Sequence, residues 1–273
     1  MYRLPSIRRA RNFHLYGYDG NRYLDLWQNQ GRAFWGHNPR GLSQVLKNHI
    51  SPGLYAPTPH PFFQRVTKLG IKAFPGYTPW FFPNVPSVES QLRDWGFILP
   101  ADPWDSLEWE IRAGGITASL WRPGLDGVTQ GDILCPILPL PGAFLGAMIL
   151  VSHQSPEGKG LLDRLQTHST ELLSPIQYIA MGHILKTLGE PAPKKEGENP
   201  IACLPENFPG FHRRGRYLIP RFHGQEYFTL FKKARQEKVI LNPRDGGISL
   251  LPERASKGEW SLISRILGDT FHE

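Results

Sequence analysis

Four carboxylates crowd residues 102–110, namely Asp102, Asp105, Glu108 and Glu110, and the last two are separated by a single residue. On a strand that spacing puts both side chains on one face, and on a helix it does not. Two carboxylates sharing a face could do acid/base work, and the same pattern is that of a solvated strand edge. The histidines contain no HxxH or HExxH arrangement, so no metal centre is legible. Ser152-His153 and His168-Ser169 place a nucleophile beside a base in sequence. Adjacent side chains on a strand point apart, however, and no GxSxG elbow is present. Gly114-Gly115, and Gly142 with Gly146, match neither a P-loop nor a dinucleotide fingerprint and suit turns and close packing instead.

Cys135 and Cys203 can form one bridge at most and have neither metal nor redox spacing. A disulfide scaffold is excluded, and the expected compartment is reducing, hence cytoplasmic. The 273 residues are 40% hydrophobic and 20% charged, a globular composition large enough for one or two domains. The most apolar stretch, residues 133–151, is broken by Pro136, Pro139 and Pro141, and neither a membrane span nor a signal peptide is expected. A net charge of +7, from 31 Lys plus Arg against 24 Asp plus Glu, permits polyanion binding. The cations fall in short groups (Arg8, Arg9 and Arg11; Lys194 and Lys195; Arg213, Arg214 and Arg216; Lys232, Lys233 and Arg235) without a repeated helical stripe. Phe211, Tyr217, Phe222 and Phe231 interleave with some of them, as on a single-strand stacking surface or equally at an amphipathic core edge. Solvated faces or a small-anion site are favoured over a nucleic-acid surface.

The elements that must hold any such site follow from pattern. Residues 12–26 read as a hairpin turning at Asp19-Gly20. Helices are expected at 39–49, with Asn38 as its cap, and at 61–73, where Gly70 is unfavourable. A strand at 80–82, a helix at 87–95, strands at 116–121 and 147–151 and a helix at 172–188 suggest an α/β layer with a mixed or parallel sheet. Residues 189–199 have linker composition. Strands at 217–219, 239–241 and 248–250 and helices at 226–236 and 260–267 form an α+β part that could complete the N-terminal hairpin.

Tyr16, Asp19-Gly20-Asn21, Tyr23-Leu24-Asp25, Gly31 and Gly36-His37-Asn38-Pro39 together resemble the N-terminal signature of class III aminotransferases, fold-type I enzymes that use pyridoxal phosphate. Phe74-Pro75-Gly76-Tyr77, Phe81-Phe82, Asn84 and Ser87-Val88-Glu89 resemble the family segment in which a strand ends in N-S-G-S-E-A. There, amides at a helix N terminus hold the cofactor phosphate. Val85-Pro86 departs from that cradle, because proline has no amide to donate. Gly142 to Ala147 is similar to the G-G-x-P-x-G-A that follows the family's Schiff-base lysine, and on that alignment the lysine position falls near Ile137. The lysines that flank it in sequence are Lys159, downstream, and Lys72, far upstream, and no D-E-x follows an apolar strand before Ile133, since Asp126 and Asp132 lie in loop-like surroundings. Residues 228–237, 239–242 and 247–251 look like the family's small domain.

The resemblance implies a reduced, aminotransferase-like α/β protein with a central mixed or parallel sheet and a small α+β domain built from both chain ends. The expected parts are residues 1–50 (hairpin and helix of the small domain), 51–190 (central domain), 191–208 (linker) and 209–273 (remainder of the small domain). With no lysine at 137, it implies a protein that has lost Schiff-base chemistry, carries no cofactor and works as a homodimer or with a related subunit. The alternatives are an active enzyme taking pyridoxal phosphate or another phosphorylated molecule through relocated groups, or a basic nucleic-acid-binding or protein-binding module. For the first alternative, Asn84, Ser87 and Arg112 would bind the anion, with His153 or Lys159 moving protons.

Overall fold

The computed structural model describes residues 2–51, 62–125, 131–142, 146–165, 173–190, 204 and 207–268. Asp126, residues 143–145, His168-Ser169, Cys203 and most of the expected linker lie outside them. In chain order the first elements are β1 (Ile7–Arg11), β2 (His14–Gly17), β3 (Arg22–Asp25), α1 (Leu42–Ile50), α2 (Phe62–Ala73), β4 (Tyr77–Phe82) and α3 (Val85–Asp94). Next come β5 (Glu110–Ala113), β6 (Ile116–Trp121), β7 (Ile133–Pro136), β8 (Ala147–Ser152), α4 (Pro156–Leu165) and α5 (Pro175–Leu188). The last are β9 (Asn207–Phe208), β10 (Phe211–Arg214), β11 (Tyr217–Pro220), α6 (Gln225–Gln236), β12 (Val239–Ile240), β13 (Ser249–Leu250) and α7 (Lys257–Gly268).

Two compact units result. The first joins Met1–Pro39, Trp104–Leu107 and Lys194–Glu273, and the second joins Arg40–Pro103 and Glu108–Pro193. Helix α1, expected with the N-terminal hairpin, falls in the second unit, and the short segment Trp104–Leu107 falls in the first.

In the first unit the expected hairpin is β2 and β3, paired Leu15↔Tyr23, and β12 runs parallel to β3 with Val239↔Leu24. The C-terminal part thus completes the N-terminal hairpin, in a sheet ordered β1-β2-β3-β12 beside a second sheet ordered β13-β11-β10-β9. Leu24 and Leu26 pack with Tyr227, Leu230 and Phe231 of α6 and with Ile263, Ile266 and Leu267 of α7. Leu15, Tyr23 and Ile240 form a smaller cluster with Leu4, Ile7 and Trp27. Ser256 and Glu259 bond reciprocally at the start of α7, each amide to the other's side chain, and so close that helix end.

The second unit holds a sheet ordered β4-β8-β7-β6-β5, with α2 and α5 packed together. Only β6 and β7 are parallel, and the remaining neighbours are antiparallel. Counting reversals across the sheet, β4, β6 and β7 run in one direction. β7 and β8 are buried at every residue, as continuous apolar runs inside a covered sheet should be. β4 begins three residues earlier than the expected strand and includes Pro79, which an edge strand tolerates because its outer amides need no partner. Gly70 also finds its reason here: a Cβ at that position would lie 2.7 Å from Pro79 Cγ, so glycine lets α2 approach β4. Gln177 and Ser174 form a capping box on α5, and Gln177 Nε2 donates to the Pro83 carbonyl at 2.8 Å, joining that helix start to the end of β4.

Candidate functional site

Ligand sites of open α/β sheets lie outside the carboxyl ends of codirectional strands. In the second unit that rim consists of the ends of β4, β6 and β7 and the start of β8. The β4 end runs into α3 through Asn84, whose Oδ1 accepts the Ser87 amide at 2.9 Å as the helix cap. Pro86 has no amide and Ser87 N–H serves the cap, which leaves the Val85 amide alone of the first three helical positions to donate outward. Beyond β6 stands Arg122, 2% exposed, followed by buried Pro123. Beyond β7 stands Ile137, whose amide donates to the Trp121 carbonyl at 2.9 Å. Ile137 and Leu140 are fully buried and Leu138 nearly so. At Gly146, φ is +103° and a Cβ would press within 3.0 Å of Met181 Sδ, so close packing of β8 on α5 fixes glycine there.

Asn84 and Ser87 therefore meet, joined by the cap hydrogen bond. Arg112 stands apart, on β5 at the sheet edge opposite β4, where it pairs with Glu110 at 3.2 Å in an exposed position. His153 and Lys159 follow the C-terminal end of β8, next to Tyr77, whereas Ala147 at its other end pairs with Phe82. Six residues of strand separate the two ends by about 17 Å, so Lys159 lies at the far end of the sheet from Ile137. Lys72 lies there too, with its Cγ beside Gly189 at the end of α5. No described residue of the rim itself is a lysine.

The acidic group of residues 102–110 is divided between the units. Asp105 is buried in the first, accepting from Gln30 and Asn242 at 2.9 Å and pairing with Arg244. Glu108 and Glu110 are exposed in the second. Among the described residues no cluster of His, Cys, Asp or Glu is arranged to hold a metal. Cys135 is a buried free thiol on β7, and burial pushes its ionisation far up, which makes it unreactive.

His37 does not open a helix. Its Nε2 lies 2.7 Å from Asp25 Oδ2, α1 starts at Leu42, and Gly41 rather than Asn38 is the N-cap. Asp25 Oδ1 also accepts the Trp27 and Gln28 amides, fixing a turn in which Gln28, Asn29, Gln30 and Gly31 all have positive φ. Arg216 supports the same turn from a half-buried position, donating to Phe34 O at 2.8 Å, to Leu251 O and to Gln28 Oε1. Desolvation lowers its pKa to about 10, which leaves it charged at neutral pH. Nothing in the sequence distinguished Arg216 from its neighbours Arg213 and Arg214, whereas the Asp25–His37 pair could have been sought from the Y-L-D and G-H positions.

No family model matches the chain. It is 49% identical over 268 residues to an uncharacterized protein of Borreliella burgdorferi, covering 96% of this chain and 90% of that one. It is 23% identical over 286 residues to an uncharacterized protein of Treponema pallidum, covering 92% of this chain and 90% of that one. Among solved structures it matches the ornithine delta-aminotransferase of Plasmodium falciparum with a TM-score of 0.68 at 10% identity, over 97% of this chain and 92% of that one. An acetylornithine aminotransferase of Elizabethkingia anophelis gives 0.64 at 12% identity, over 99% and 94%. A transaminase with PLP bound gives 0.68 at 8% identity, over 98% and 91%.

The expectation that the chain goes without a cofactor is corrected by these matches, since the fold it shares includes a transaminase solved with PLP bound. Pyridoxal phosphate is thus the group against which the rim has to be measured. At the position that the resemblance gives to the Schiff-base lysine, beyond β7, stands a buried isoleucine, and the α3 amides that would meet a phosphate are reduced by Pro86 and by the Asn84 cap. With 49% identity across 96% of its length, the chain belongs to the family of the Borreliella burgdorferi protein, and its fold is that of the aminotransferases.

Proposed function

We infer that this chain is a reduced aminotransferase-like protein that has lost Schiff-base chemistry and acts as a homodimer or through a related subunit. The observation that carries this reading is Ile137, fully buried at the end of β7 where the family resemblance places the lysine. A Schiff base requires a primary amine, and the flanking lysines, Lys72 and Lys159, stand at the opposite end of the sheet. Arg122 at the end of β6 strengthens the reading, because the resemblance calls for a carboxylate before Ile133 and a cation stands at the strand end instead. Pyridoxal phosphate is the ligand to test, and its expected mode is reversible and non-covalent. Asn84 and Ser87 are retained as proposed anion contacts through the α3 terminus, and Arg112, on the sheet edge opposite β4, is not part of that set. A buried free Cys135 accords with a reducing, cytoplasmic setting.

The test is to add pyridoxal phosphate to the purified protein, record its absorption before and after borohydride, and map any adduct by mass. Reversible spectral change without a trapped adduct is the expected result. A stoichiometric adduct at one lysine would overturn the reading and identify an amine that serves in place of residue 137.

A further inference from the structure

Strand β1 contains Ile7, which packs on the inner cluster of Leu15 and Tyr23, yet Arg9 and Arg11 are exposed. A register shift between Ile7 and Arg9 reconciles the two: one extra residue, Arg8, turns the following side chains to the opposite face. Arg9 then pairs with Tyr16 and Arg11 with His14, while Tyr16 faces Arg22 on the other side. One row of the sheet therefore reads Arg9, Tyr16, Arg22. The Arg9 guanidinium sits 4.2 Å from the centre of the Tyr16 ring, and Arg22 is 60% exposed. Tyr18, at the adjoining turn, is 75% exposed.

The charge here is unbalanced. Arg93, Arg112, Arg244 and Arg265 each face a carboxylate, whereas Arg8, Arg9 and Arg11 have no ion pair among the described residues. Glu259 is shared between His14 and Arg22. Like charges side by side on a sheet face oppose one another, and a polyanion relieves that opposition. An aromatic ring between two guanidinium groups adds what a phosphate alone would not need, a flat surface on which a base or a stacked guanidinium can lie.

Leu24 lies on the same face but is buried against α6 and α7, so only the end of that face beyond Glu259 is open. We propose that this exposed end of the β1–β3 face, with Arg9, Arg11, Tyr16 and Arg22, binds single-stranded nucleic acid. Arginines contact the phosphates and Tyr16 with Arg9 supports the bases, so binding is sequence-tolerant and weakens with salt. This site is independent of pyridoxal phosphate chemistry and stands or falls separately.

The experiment is fluorescence anisotropy of a labelled oligothymidine with the full chain over a salt series. Arg9→Glu and Arg11→Glu should each weaken binding about tenfold and flatten the salt dependence. Tyr16→Ala should weaken it by about fivefold or more through lost stacking. Lys159→Glu, an equal charge change on exposed α4 of the other unit, should leave binding within about twofold of wild type if the effect is local. Arg9→Gln serves where the reversal lowers the thermal midpoint. Absence of binding at low salt, or an equal loss in Lys159→Glu, would overturn the proposal. Retention by phosphatidylserine vesicles with none by the oligonucleotide would overturn it as well and assign the face to a membrane surface.

Discussion

Asp19 closes the turn between β2 and β3 by accepting from the Asn21 amide at 3.0 Å and from the Tyr23 hydroxyl. The Tyr23 hydroxyl, followed by the Asn21 contacts, lowers its pKa from 3.8 to about 2. A carboxyl depressed on folding contributes stability that is fully present above its unfolded pKa and is lost as pH falls through the folded value. Asp19 therefore stabilises the turn above about pH 4, and that contribution disappears on going down to about pH 2. In denaturant titrations, wild type should exceed Asp19→Asn at neutral pH, and the gap should close across that acidic interval. A gap independent of pH would mean that the charge is not what holds the turn. Glu259 behaves similarly in direction: burial raises its pKa, but the Ser256 amide and His14 outweigh burial and hold it below the usual range.

Helix α2 is where an unfavourable residue proves necessary. Alanine at position 70 would gain helix propensity of about 1 kcal/mol, but its Cβ would meet Pro79 Cγ at 2.7 Å. Overpacking of this kind costs about 1–3 kcal/mol, so Gly70→Ala should lower stability despite its better propensity. Gly70→Ala combined with Pro79→Ala should recover part of the loss, because Cγ, the nearest obstructing atom, is gone while Cβ at 3.0 Å stays. Equal destabilisation with and without Pro79 would place the cause elsewhere. Much of the element pattern was legible: the hairpin, α2, α3, β6, β8, α5, α6 and α7 lie where apolar spacing and turn residues put them. β1, β5, β7, α4, β9 and β10 were not, since several are short and β1 is mostly exposed and charged, leaving little periodicity to find.

Considering the whole molecule, exposed Ile50 on α1 and Phe63 and Ile71 on α2 are apolar side chains at a solvent-facing surface of the second unit. If the homodimer reading holds, light scattering after gel filtration should give twice the chain mass, and Ile50→Glu with Ile71→Glu should return it to a monomer. A monomeric wild type would remove the homodimer and leave the related-subunit form of the reading. Among the described residues no helix is long and apolar enough to cross a membrane.

The hairpin at Asp19-Gly20 was settled by local chemistry, because a glycine with φ of +79° and an acceptor side chain make a turn whatever surrounds them. The aminotransferase-like frame and the isoleucine at 137 were also legible, since each depends on residue identities in order along the chain. The sheet order, which puts Arg112 on the far edge from Asn84 and Lys159 at the opposite end from Ile137, was not. Strand order and direction are set by pairings between residues distant in sequence, and no local pattern encodes them. The same holds for Arg216: only the carbonyls of Phe34 and Leu251 and the Gln28 side chain distinguish a structural arginine from a solvated one.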